Sequence, residues 1–83
     1  MKHASIATLH QLAELLAELR ALPALKEKSA GAFYRNGSAF LHFHEDPAGI
    51  FADVKVDGDW TRRPIASEAA KRKLLADVRR HLA

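Results

Sequence analysis

Residues 40–56 read Phe-Leu-His-Phe-His-Glu-Asp-Pro-Ala-Gly-Ile-Phe-Ala-Asp-Val-Lys-Val. Apolar and polar side chains alternate on both sides of Asp46-Pro47-Ala48-Gly49, where proline presets φ and glycine accepts a left-handed backbone. That is the pattern of a β-hairpin. A loop there pairs Glu45 with Ile50, His44 with Phe51, Phe43 with Ala52, His42 with Asp53 and Leu41 with Val54. Period-two alternation then sends Leu41, Phe43, Ile50, Ala52, Val54 and Val56 to one face, and Phe40, His42, His44, Phe51, Asp53 and Lys55 to the other.

Working outward, Asn36-Gly37 is a strong hairpin signal, since both central positions of a tight hairpin turn need positive φ. It predicts a strand over residues 30–35 with Arg35 opposite Ser38, Phe33 opposite Phe40 and Ala32 opposite Leu41. In that register Ala32 and Tyr34 join the apolar face and Phe33 the histidine face. Asp57-Gly58 predicts a further turn and a returning strand over residues 59–63 that ends at Pro64. A two-residue loop brings Arg62 opposite Asp53 and Trp60 to the histidine face, whereas a three-residue loop sends Trp60 toward the core.

Flanking helices follow from spacing. Ile6, Leu9, Leu12, Leu16 and Leu19 recur on one side of an amphipathic helix from Ser5 to Leu22, capped by Ser5 or Thr8 and stopped by Pro23. Residues 23–29 read as a short charged connection. Ser67 caps a final helix with Ala70, Leu74, Val78 and Leu82 inward. The order predicts an α+β fold of one domain over residues 1–83. It is a two-layer α-β-β-β-(β)-α sandwich whose antiparallel sheet carries both helices on one face.

At 48% hydrophobic and 28% charged residues, the chain has the composition of a globular protein and not of a disordered one. It has no cysteine, which excludes disulfides and thiolate metal sites. A reducing cytoplasm is the expected setting, because neither a signal-type segment nor a membrane-length apolar run is present. The net charge of +3 favours anionic partners without establishing nucleic-acid binding.

The uncovered face holds the residues with chemistry. Phe33, Phe40, His42, His44, Phe51, Asp53, Lys55 and Arg62 are expected there as a binding surface. Three phenylalanines on a solvent-facing side predict a partner, most simply a second copy of the chain in a dimer, or else another protein. His42 and His44, two apart on a strand, project together opposite Asp53. Two imidazoles and a carboxylate match the donor set of zinc or a similar divalent ion, with a further position left for water. The competing reading is a cross-strand polar pair without an ion. Ser38 shares the face but stands too far along the strand to be activated by His42, so no nucleophile, acid and base are assembled. The expected function is a non-catalytic binding or self-association module. The alternative is a metal-dependent site with hydrolase-type chemistry on His42, His44 and Asp53.

Two resemblances add expectations. Residues 51–58, Phe-Ala-Asp-Val-Lys-Val-Asp-Gly, followed by Ser67-Glu-Ala-Ala-Lys-Arg-Lys, resemble the last strands and basic helix of double-stranded RNA-binding domains, although Glu68 stands where that family places a lysine. The resemblance implies phosphate contacts from Lys71, Arg72 and Lys73; Arg79 and Arg80 extend the same basic helix. Phe33-Tyr-Arg-Asn-Gly and the stretch from Phe40 to Val54 are similar to a signature of small bacterial proteins, which implies a bacterial stand-alone domain and no particular activity.

Overall fold

A computed structural model describes residues 2–82. The elements in chain order are β1 (Lys2–His3), α1 (Ile6–Gln11), α2 (Ala13–Arg20), β2 (Lys26–Ser29), β3 (Ala32–Arg35), β4 (Ser38–Asp46), β5 (Gly49–Val56), β6 (Asp59–Pro64) and α3 (Glu68–Leu82). The fold is α+β, as the order of patterns predicted. Strands run β2-β3-β4-β5-β6, all antiparallel, and β1 pairs with β4. Since β5 occupies one edge of β4, β1 continues the other edge beyond the end of β3. The helices cover one face of this sheet. Leu12, Leu15, Leu16, Leu19, Leu74, Leu75 and Val78 pack with Leu41, Phe43, Ala52 and Val54 in a single apolar cluster.

The central hairpins have the register that turn chemistry dictates. Glu45 pairs with Ile50, Phe43 with Ala52, His42 with Asp53, and Asp53 with Arg62. Asp46 steadies its turn by accepting a 2.7 Å hydrogen bond from the Ala48 N–H. Asn36, Gly37, Asp57 and Gly58 all have positive φ, as tight hairpin turns require.

Four expectations need correction. First, Phe33 pairs with Leu41 and Tyr34 with Ala39, so Phe40 is the extra residue of a β-bulge. The bulge turns Phe40 and Leu41 to the same side and reverses the parity of β3. Phe33 and Phe40 are consequently buried in the core, at 1% and 5% exposure, and not on the histidine face. Ala32, opposite His42, joins that face instead. Burying a phenylalanine side chain is worth about 1.5–3 kcal/mol. The ladder hydrogen bond disrupted by a bulge is worth only about 0.5–1.5 kcal/mol net. Two buried rings outweigh one irregular pairing.

Second, residues 26–29 form an edge strand and not a connection. Glu27 organises it: the Arg20 guanidinium donates to both its carboxylate oxygens, at 2.5 and 3.1 Å, and the Gly31 N–H donates at 2.9 Å. The charged Lys-Glu-Lys-Ser sequence suits an edge that must not recruit further strands. Third, the first helix is broken at Leu12, which separates α1 from α2. Leu12 itself is buried, while Ile6, expected inward, is 77% exposed. Ser5 supplies the expected cap, its hydroxyl accepting from the Thr8 N–H at 3.2 Å. Fourth, β1 was not anticipated.

α3 begins where the Ser67 hydroxyl accepts from the Ala70 N–H at 3.0 Å. No helix among the described residues is long and apolar enough to cross a membrane.

Candidate metal centre

Adjacent strands present two neighbouring rows on the face away from the helices. One row runs Ala32, His42, Asp53, Arg62 across β3, β4, β5 and β6; the next runs His3, His44, Phe51, Pro64 across β1, β4, β5 and β6. Period-two alternation along β4 puts both imidazoles on this side, and the loop at residues 46–49 puts Asp53 opposite the first of them.

Within these rows, His42 Nδ1 and His44 Nε2 are 2.8 Å apart, and His44 Nε2 is 3.0 Å from Asp53 Oδ2. Arg62 grips Asp53 from the other side, donating from Nε to Oδ1 at 2.8 Å and from Nη2 to Oδ2 at 3.0 Å. Trp60 forms a wall: its ring centroid lies 4.6 Å from that of His42, and Lys55 Nζ lies 5.7 Å from the Trp60 ring. His3 completes the cluster, with its ring centroid 5.2 Å from His44 and 6.3 Å from His42.

Asp53 is 6% exposed, an unusual burial for a carboxylate on a face that no helix covers. Its hydrogen bonds from Arg62 hold its pKa below the ordinary carboxylate value, with His44 and His42 adding a smaller lowering against the cost of burial. His42 is shifted down mainly because it is desolvated and next because His44 is beside it. The pair of shifts favours an ionised carboxylate beside a neutral imidazole, which are the protonation states that bind metals.

The donor atoms of His42, His44 and Asp53 all lie within 4.8 Å of one another. Zinc bonds of about 2.0–2.2 Å to nitrogen and oxygen, arranged tetrahedrally, put ligand atoms roughly 3.3–3.6 Å apart. The two short separations, 2.8 and 3.0 Å, would open by about half an ångström to admit an ion, while the His42 and Asp53 donor atoms, within 4.8 Å of each other, would settle to the same spacing. Asp53 Oδ2 has a second lone pair with which to keep its Arg62 hydrogen bond, as ligating carboxylates commonly do. The Nδ1 atom of His44 is buried without a hydrogen-bond partner among the described residues. Such a group costs about 1–3 kcal/mol, and the cost falls on ion-free and ion-bound forms alike.

Of the residues singled out in the sequence, His42, His44, Phe51, Asp53, Lys55 and Arg62 lie on this face and Phe33 and Phe40 do not. The apolar patch is reduced to half-buried Phe51 and to Trp60, which is 44% exposed. The argument for a dimer built on three phenylalanines goes with it. The basic helix is largely committed internally: Lys71 pairs with Glu68 at 3.2 Å, Arg79 with Glu18 at 4.0 Å and Arg80 with Asp77 at 2.5 Å. Arg72 and Lys73 point to solvent. His3 is the member of the cluster that sequence reasoning missed, because a two-residue strand is too short to show a period.

No protein-family model, curated protein or solved structure matches this chain.

Proposed function

We propose that this chain is a small binding domain whose uncovered sheet face takes one divalent transition-metal ion on His42 Nδ1, His44 Nε2 and Asp53 Oδ2. Nitrogen and oxygen donors without thiolates suit zinc and its neighbours over calcium or magnesium. The reading is carried by proton accounting. Three lone-pair-bearing atoms converge, with His44 Nε2 at 2.8 and 3.0 Å from the other two. If Nε2 carries a hydrogen, Asp53 and His42 must share it. If Nε2 is bare and accepts a hydrogen from His42, its lone pair faces the Asp53 carboxylate. A divalent cation satisfies all three donors together.

Arg62 serves the site by orienting Asp53, and Trp60 by shielding the His42 side from water. The role proposed is binding. Equilibrium dialysis of the purified chain against zinc tests the reading, with the bound ion counted by elemental analysis. One ion per chain is expected for wild type and none for His42→Ala/His44→Ala. Wild type that emerges without zinc would refute the assignment.

A further inference from the structure

The inference here rests on that reading of His42, His44 and Asp53, and adds a ligand and a conformational consequence. We propose that His3 is the fourth ligand, so that the ion fastens the N-terminal strand β1 onto β4.

Ring geometry carries the argument. Imidazole nitrogens about 2.0–2.1 Å from a tetrahedral ion put their ring centroids roughly 5.2 Å apart. The three centroid separations are 4.9 Å for His42 and His44, 5.2 Å for His3 and His44, and 6.3 Å for His3 and His42. Two are near that spacing; the donor atoms that already converge are those of His42, His44 and Asp53, so the His3 ring must swing inward by about one ångström and turn a nitrogen toward them. His3 is free to make that movement because it is exposed and sits opposite His44 in the strand register. Structural zinc sites are almost always four-coordinate, and three ligands from the sheet leave one position to fill.

The strand that carries His3 is only two residues long. Besides its pairing with His44 and Glu45, the contacts among the described residues include a 3.2 Å hydrogen bond from the Ala4 N–H to the Phe43 carbonyl and a bond from the Ser5 N–H to the Glu45 carboxylate. A metal bond to His3 would be the strongest tie between this segment and the sheet. Residues 2–5 are therefore closed when the ion is bound and fray when it leaves.

Competition with a chromophoric chelator gives the zinc affinity of wild type and His3→Ala, and hydrogen exchange followed by NMR gives the protection of the Ala4 and Ser5 amides. His3 is exposed, so the variant retains the fold. The expected results are a 10- to 100-fold weaker zinc affinity for His3→Ala and at least tenfold slower exchange of both amides in zinc-loaded wild type, with no such slowing in the variant. Equal affinities, or amide exchange indifferent to zinc, would overturn the role of His3 while leaving the three-ligand site standing. Wild type that binds no zinc would overturn both.

Discussion

Replacing Phe40 by alanine tests how the bulge in β4 shapes both faces of the sheet. Phe40 is 5% exposed and packs in the same cluster as Phe33, Leu41 and the helix leucines. Truncating a buried phenylalanine costs about 3–5 kcal/mol, from lost transfer energy and the cavity left behind. At 0.05–0.15 kcal/mol per residue, a chain of this length has roughly 4–12 kcal/mol to lose. Phe40→Ala should therefore remove about a quarter or more of the stability. Phe51, half-buried on the opposite face, is the control, and its truncation should cost about 1 kcal/mol. Urea unfolding followed by circular dichroism measures both, with the slope expected to stay constant so that the midpoints report stability. If strict alternation held and Phe40 shared a face with His42, the two variants would lose similar, small amounts. A loss below about 1 kcal/mol for Phe40→Ala would refute the bulge.

Three further outcomes follow from particular contacts. Gly31 has φ of +75°, and an added Cβ would lie 2.8 Å from Leu9 Cδ2, whereas Gly37 at φ +82° has nothing within 4 Å. Gly31→Ala should therefore cost roughly 1 kcal/mol more than Gly37→Ala in the same unfolding assay, and equal costs would contradict the Leu9 contact. Glu27→Ala should speed hydrogen exchange throughout β2 while leaving β5 protected, because Glu27 holds that edge to Arg20 and Gly31; unchanged β2 protection would show the strand stands without it. Hydrogen bonds from Arg63 and then Arg80 lower Asp77 from the ordinary 3.8 to about 2. The folded state thus binds this proton less tightly than the unfolded chain does. The stabilisation is complete above the unfolded value and is lost as pH falls through about 2. The gap in thermal midpoint between wild type and Asp77→Asn should hold from pH 7 to about 5 and close toward pH 2; a gap independent of pH would contradict the pairing.

The parts of the fold legible in the sequence are those where a turn fixes the register. Asp46-Pro47-Ala48-Gly49 and Asp57-Gly58 each allow few loop geometries, and from them the pairing of His42 with Asp53 and of Asp53 with Arg62 follows by counting. Asn36-Gly37 set its turn equally well, with Arg35 opposite Ser38, yet the count failed two residues later. A bulge inserts one residue with no local signal. What selects it is the burial of Phe33 and Phe40 against helices distant in sequence. β2 was hidden because Lys-Glu-Lys-Ser has no apolar alternation, and its strand character comes from pairing with β3 and from Glu27. The break at Leu12 was hidden because the leucine spacing continues across it. The candidate site was therefore readable in its central residues, all on β4, β5 and β6, and unreadable at His3, whose position depends on where a two-residue strand docks.

The central claim is that one ion sits among His42, His44 and Asp53, and the single tryptophan of the chain lies beside them, its ring 4.6 Å from His42. Titrating cobalt(II), an open-shell stand-in for zinc, while recording Trp60 fluorescence reports binding near that ring, and His44→Ala assigns the signal to the site. The account predicts quenching that saturates at one equivalent in wild type, is reversed by excess zinc and is absent in His44→Ala. Quenching that never saturates, or that is the same in His44→Ala, would contradict it.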